Sequence, residues 1–128
     1  MNLTHLILAG AGGFIGSIAR YATVVSVDRK LNSVLPYGTL LVNVAGSFAL
    51  GFILGWLARK TGDSSDQWRI FLGTGFCGGF TTFSAFAVEN VTLFQQRLPG
   101  AALLYILASL IAGLAAVWLG FTLSRTIY

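Results

Sequence analysis

Acidic side chains are scarce in this chain: there are four Asp and Glu among 128 residues, and only Glu89 falls inside an apolar stretch. Charge of either sign is sparse, at 9% of residues against 55% hydrophobic ones, and mean hydropathy is +0.79. A soluble domain carries roughly 25% charged residues, so this chain lacks the means to cover a water-facing surface. The one cysteine, Cys77, excludes an intrachain disulfide and says little about compartment. The one histidine, His5, stands alone near the start and suits a structural or interfacial place better than metal ligation. No general base, nucleophile or ligand cluster is present, which excludes an enzyme. A cation-coupled carrier needs a membrane carboxylate as its switch, and a cation channel needs acidic rings or a carbonyl filter. Glu89 is the one acid inside a span, and no acidic ring is present.

What is present is apolar length. Stretches of about 3–27, 37–58, 69–95 and 99–124 each reach the roughly 20 residues that a membrane-crossing helix needs. The connections are too short for a soluble domain, so the chain reads as one four-helix transmembrane domain over 1–128. The first stretch lacks a preceding basic residue and continues through Arg20, so it reads as a span and not as a cleaved signal. The formal net charge of +4 does not indicate a nucleic-acid partner, because the basic residues sit singly or in pairs at helix ends, as interfacial anchors do. Asn2-Leu3-Thr4 and Asn90-Val91-Thr92 match the glycosylation pattern but lie too close to the bilayer to serve it.

Orientation is unspecified by charge. Arg59, Lys60, Arg69 and Arg125 share one side; Arg29, Lys30 and Arg97 share the other, joined by Arg20 if it snorkels that way. The positive-inside rule therefore gives no preference. Either one orientation is set by finer detail, or the chain inserts both ways and two copies pair antiparallel in the lipid bilayer. Gly12-x-x-x-Gly16 and Gly51-x-x-x-Gly55 are small-residue packing faces. They fit an oligomer, and they fit packing within one chain equally.

Polar groups at membrane depth mark the protein interior. Thr39, Asn43 and Ser47 recur every four residues in the second span, continued by Gly51 and Gly55. Tyr105, Ser109 and Gly113 repeat the spacing in the fourth, and Gly12, Gly16 and Arg20 in the first. Amide, hydroxyl, phenol and guanidinium groups are donors, and donors suit an anion.

The third span contains GFCGGFTTFSAF over residues 75–86. Gly78-Gly79 weakens a helix by about 1 kcal/mol per glycine, while Thr81, Thr82 and Ser84 offer capping hydroxyls. Two half-helices meeting near the bilayer midplane would leave carbonyls around Phe76 to Gly79 and at Thr81 in need of partners, which a small cation could supply. A kinked helix patched by Thr and Ser side chains fits the same residues. Phe80, Phe83 and Phe86, spaced by three, share a face of the second half-helix, and ring edges carry partial positive charge.

Residues 75–86, together with Gly38-Thr39-Leu40-Leu41-Val42-Asn43 and Gly12-Gly13-Phe14-Ile15-Gly16 followed by Arg20, resemble the signature of the Fluc/CrcB family of fluoride channels along the whole chain. The resemblance implies an all-α membrane protein whose third helix is broken near its middle, forming antiparallel dual-topology homodimers in the cell (inner) membrane. It implies two fluoride pores around a central structural sodium ion (Na+), with Gly78 and Thr81 donating backbone carbonyls to the metal. Phe83 and Phe86 would meet fluoride edge-on, Asn43 would hydrogen-bond it, and Thr82 and Ser84 would add hydroxyls. Tyr105 and Ser109 would belong to a polar track in the fourth span, with Arg20 near the vestibule. Glu89 follows the second phenylalanine at the family's spacing. Ala85 and Ala87 depart from it, standing where relatives often carry a hydroxyl. The service implied is passive exit of fluoride from the cell. Two rivals are a small proton-coupled multidrug-type exporter, which needs a carboxylate in the first span, and a non-transporting scaffold, which leaves the broken helix unexplained.

Overall fold

The computed structural model describes residues 1–127, and every regular element among them is helical. Helix α1 (Leu3–Leu31) begins at Asn2, whose side chain accepts from the Thr4 N–H at 2.8 Å. It ends where Asn32 adopts a left-handed conformation (φ 44°) and returns its N–H to the Asp28 carbonyl. Asparagine tolerates that conformation better than most residues. The helix therefore passes the expected end at 27 and carries Arg29 and Lys30 in its last turn, where cations complement the helix dipole. Helix α2 (Tyr37–Leu57) is tied to α1 at its start, because the Gly38 N–H donates to Asp28 Oδ1 at 3.0 Å.

The third span is composite. A short helix α3 (Asp63–Trp68) precedes the expected start at 69 and leads into a π-helical segment, Arg69–Cys77. A single turn, α4 (Gly78–Phe80), follows, and α5 (Phe83–Gln95) begins after a break at Thr81 and Thr82. Helix α6 (Pro99–Thr126) has its proline in the first turn, where no backbone N–H is missed. Four spans long and apolar enough to cross a bilayer result: Leu3–Leu31, Tyr37–Leu57, Asp63–Gln95 and Pro99–Thr126.

These helices pack chiefly as two pairs, α2 along α6 and α1 along the π-helical segment and α4. The first pairing uses Gly51 and Gly55: a methyl added there would meet the Val117 carbonyl and Ser124 Oγ. The second uses Gly12 and Gly16, where a methyl would strike the carbonyls of Phe71 and Phe76. Both small-residue faces thus close contacts within one chain, and neither is left over for an oligomer. Large apolar residues such as Leu103, Leu107, Ile111, Leu114 and Trp118 point outward along α6, as a helix in lipid requires. The protein is a multi-pass membrane protein.

Candidate functional site

The break in the third span lies at the threonines and not at the glycines. Thr81 (φ −95°, ψ 159°) and Thr82 (φ −152°, ψ 115°) are extended, while Gly78 and Gly79 stay helical. The cause is Asn43 on α2. Its Oδ1 accepts from the Thr82 N–H at 2.7 Å and its Nδ2 donates to the Thr82 carbonyl at 3.1 Å. One side-chain amide thereby satisfies both backbone groups of the residue that leaves the helix, as burial in a membrane demands. Gly79 serves a different purpose: it lies so close to α1 that a methyl there would strike the Gly13 carbonyl.

The hydroxyls divide the remaining work. Thr82 Oγ1 caps α5 by accepting from the Ala85 N–H at 3.1 Å, and Thr81 Oγ1 donates back to the Cys77 carbonyl at 2.8 Å. Ser84 caps nothing; its Oγ lies 3.3 Å from Thr82 Oγ1. The carbonyls from Gly78 to Thr81 lose their ordinary helical donors at the break, and for two of them the diverted donor has another partner. The N–H that would reach Gly78 belongs to Thr82 and goes to Asn43, and the one that would reach Thr81 belongs to Ala85 and goes to Thr82 Oγ1. The Gly79 carbonyl is compensated by Arg20, whose Nε donates to it at 3.1 Å. No cluster of His, Cys, Asp or Glu suited to a metal occurs among the described residues.

Asn43, Thr82, Phe83, Phe86 and Ser109 come together around one groove of about 270 Å³. Its chemistry is amide, hydroxyl and ring edge. The hydroxyl of Ser109 is buried and has no protein partner, so it is available to whatever enters. The rings of Phe83 and Phe86 have centroids 5.8 Å apart at 45°. Phe83 is 77% exposed, so within a single chain one wall of the groove is open. Phe80 does not join them. It precedes the break and stacks on Phe76 at 5.6 Å, because spacing by three places rings on one face only while the helix is continuous. A second groove, of about 410 Å³, runs from Arg69 along the π-helical segment and shares Leu50 and Thr81 with the first.

Ser84, Tyr105 and Arg20 do not line the first groove. Arg20 is at the Gly79 carbonyl, on the α1 side. Tyr105 is only 2% exposed and donates its hydroxyl to Glu89 Oε1 at 3.0 Å, while Thr39 Oγ1 donates to Glu89 Oε2 at 2.8 Å. The phenol ring also lies 5.2 Å from that of Phe86. This pairing of Glu89 with Thr39 and Tyr105 was not legible in spacing alone. The available signal was that the one acid inside a span must find donors, and that Thr39 and Tyr105 begin the two polar stripes.

Comparison with known proteins agrees with the geometry. A family model described as CrcB-like protein, Camphor Resistance (CrcB), matches residues 7–121. The fluoride-specific ion channel FluC of Caulobacter vibrioides is 41% identical over 126 residues, covering 98% of this chain and 99% of the relative. The protein of the same name from Chelativorans sp. is 45% identical over 123 residues, covering 96% of this chain and 98% of the relative. That from Chlorobium chlorochromatii is 46% identical over 121 residues, with 94% and 92% covered.

Proposed function

The chain belongs to the CrcB-like family, and on that premise we propose that it is a passive fluoride-selective channel that lets fluoride leave the cell. The observation that carries the reading is the single groove in which Asn43, Thr82, Phe83, Phe86 and the unpartnered Ser109 hydroxyl meet beside a broken helix. Fluoride is small and holds its water tightly, so a pore must replace that shell with placed donors. An amide NH2 carries two hydrogens; Asn43 commits one to Thr82 and retains the other for an anion. Ring edges at Phe83 and Phe86 add favourable contacts that do not trap the ion. Hydrogen fluoride crosses a membrane neutral and ionises inside, so a path for the anion alone lowers the internal level. No catalytic step is involved, and the protein is not an enzyme.

The other assignments extend this reading. Ser84 beside Thr82, and Tyr105 above Ser109 on α6, continue the polar lining beyond the groove, and Arg20 provides positive charge at the break. The exposed Phe83 ring and open groove wall favour a second copy, inserted antiparallel, as the missing wall, giving two pores per dimer. The Gly78 and Thr81 carbonyls, whose helical donors are diverted, fit a small hard cation such as sodium, which would neutralise their partial negative charge and hold the break in shape. The exporter reading has no support: the one carboxylate of the first span, Asp28, lies in its last turn and accepts from the Gly38 N–H, and Glu89 is paired with Thr39 and Tyr105.

The test is fluoride release from liposomes holding the purified protein, read by a fluoride electrode with chloride recorded alongside. Rapid fluoride efflux with silent chloride and no dependence on a proton gradient is expected. A folded protein that releases no fluoride overturns the channel.

A further inference from the structure

The α5–α6 turn places a large cation where the backbone favours the smallest residue. The Leu98 N–H donates to the Leu93 carbonyl at 2.9 Å and the Arg97 N–H to the Phe94 carbonyl at 3.1 Å, the paired bonds that close a helix through one left-handed residue. That residue is Arg97, at φ 59°, where glycine is usual and a side chain strains the backbone. Its guanidinium has no partner among the described residues, and neither have the charged groups of Arg29 and Lys30 in the last turn of α1. The one acid beside them, Asp28, is turned to the Gly38 N–H. The α1–α2 connection brings these charges to the same end of the bundle as Arg97, since its Val34 and Pro36 border one cavity with Thr92 and Gln96. The opposite end treats its cations differently. There Arg69 pairs with Asp66 at 3.6 Å, Lys60 lies 4.2 Å over the Trp56 ring, and Arg59 also has a partner.

Leading up to the turn, the surface of α5 is apolar. Val91 and Phe94, three apart, share a face and are 55% and 49% exposed. An apolar face that ends at basic groups without counter-charges matches the two halves of a phospholipid, and a guanidinium takes a phosphate through paired hydrogen bonds. We infer that this end of the bundle docks an anionic phospholipid: Arg97 holds the phosphate, Arg29 and Lys30 add charge at the same level, and Val91 and Phe94 carry an acyl chain. The strained backbone at Arg97 is then retained for the side chain it presents. Three cations against one acid select a headgroup of net negative charge over a zwitterionic one, whose own ammonium adds to the excess. The inference stands apart from the channel reading, because none of these residues borders the groove that holds Asn43 and Phe83.

Purified protein in a neutral detergent, titrated with phosphatidylglycerol or phosphatidylcholine and followed by thermal unfolding and native mass spectrometry, tests it. Phosphatidylglycerol is expected to raise the unfolding midpoint and to stay bound in the mass spectrum, and phosphatidylcholine to do neither. Arg97→Gly should unfold no earlier than the native chain without added lipid, because glycine relieves the left-handed backbone. Its affinity for phosphatidylglycerol should nevertheless fall about fivefold, and removal of Arg29, Lys30 and Arg97 together should lower it about a hundredfold. Lys60→Gln, at the opposite end, should leave that affinity unchanged. Full affinity in Arg97→Gly overturns the site, and so does an equal loss in Lys60→Gln, which would mean that overall charge alone attracts the lipid. Glycerol 3-phosphate offers the phosphate without an acyl chain and is expected not to stabilise; stabilisation equal to that by phosphatidylglycerol would make free phosphate the ligand and overturn lipid docking. A chain that binds phosphatidylglycerol yet releases no fluoride from liposomes overturns the channel and leaves the lipid site standing.

Discussion

The two sides of the third span answer opposite demands. Toward α1 it is bare: Gly12, Gly16 and Gly79 bring backbone against backbone, with no room for a methyl group. On the other side it touches α2 at Asn43 and Gly46 and stands off beyond them toward α6, leaving a groove lined by Asn43, Phe83, Phe86 and Ser109. Close backbone contact on one side leaves the helix little freedom to shift. On the other side, the separation preserves a space where an unpartnered hydroxyl is held ready. Small residues serve both sides, but on the first they permit contact and on the second they keep volume open. Gly113 shows the second use, with Ser47 Oγ at 4.0 Å the nearest atom to an added methyl.

Substitutions that invert this contrast should have the largest effects. Gly12→Val or Gly16→Val forces a side chain into the backbone of the third span and should cost about 3 kcal/mol or more; loss of the monodisperse species in detergent, followed by thermal unfolding, measures it. Replacing Phe83 and Phe86 together with Ile should abolish fluoride efflux while leaving that folded species in place, because both rings border the groove and Phe83 is largely exposed. Surviving flux would remove the rings from the path. Asn43→Ala strips partners from both Thr82 backbone groups, at about 1–3 kcal/mol for each polar group left buried and unpaired. Asn43→Asp retains the acceptor for the Thr82 N–H and should be the milder change in thermal stability. Ser109→Ala breaks no protein hydrogen bond, so it should leave unfolding within about 0.5 kcal/mol while slowing efflux. Gly113→Ala should be the smallest structural change, also within about 0.5 kcal/mol, and equal destabilisation by it and by Gly12→Ala would erase the distinction between the two sides.

Much of this was legible residue by residue. Asn43 and Ser109 stood out as polar groups recurring every four residues in oily spans, and both reach the groove. Thr82 was readable as a cap because its hydroxyl directly precedes a helical stretch. Phe80 was misplaced because its spacing assumed a helix that the next two residues interrupt. The position of the interruption was also misread: Gly78-Gly79 has the lower helix propensity, but propensity differences near 1 kcal/mol yield to a side chain 39 positions away that holds both backbone groups of Thr82. The π-helical stretch over Arg69–Cys77 had no periodic signal, and the close approach of its Gly75 to Gly12 is a contact between two spans that neither span's own pattern reveals.

The sequence by itself determined the number of spans, the weak charge bias, the presence of a break in the third helix and the family, because these follow from hydropathy summed over a span and from motifs read in order. Only the tertiary structure decided that the glycine faces close within one chain, that Thr81 and Thr82 and not the glycines leave the helix, and that Glu89 is held between Thr39 and Tyr105. Those outcomes depend on which helices lie side by side. Hydropathy and periodicity are properties of one segment, whereas a hydrogen bond between α2 and α5 exists only after packing has brought the two helices within 3 Å or so of each other.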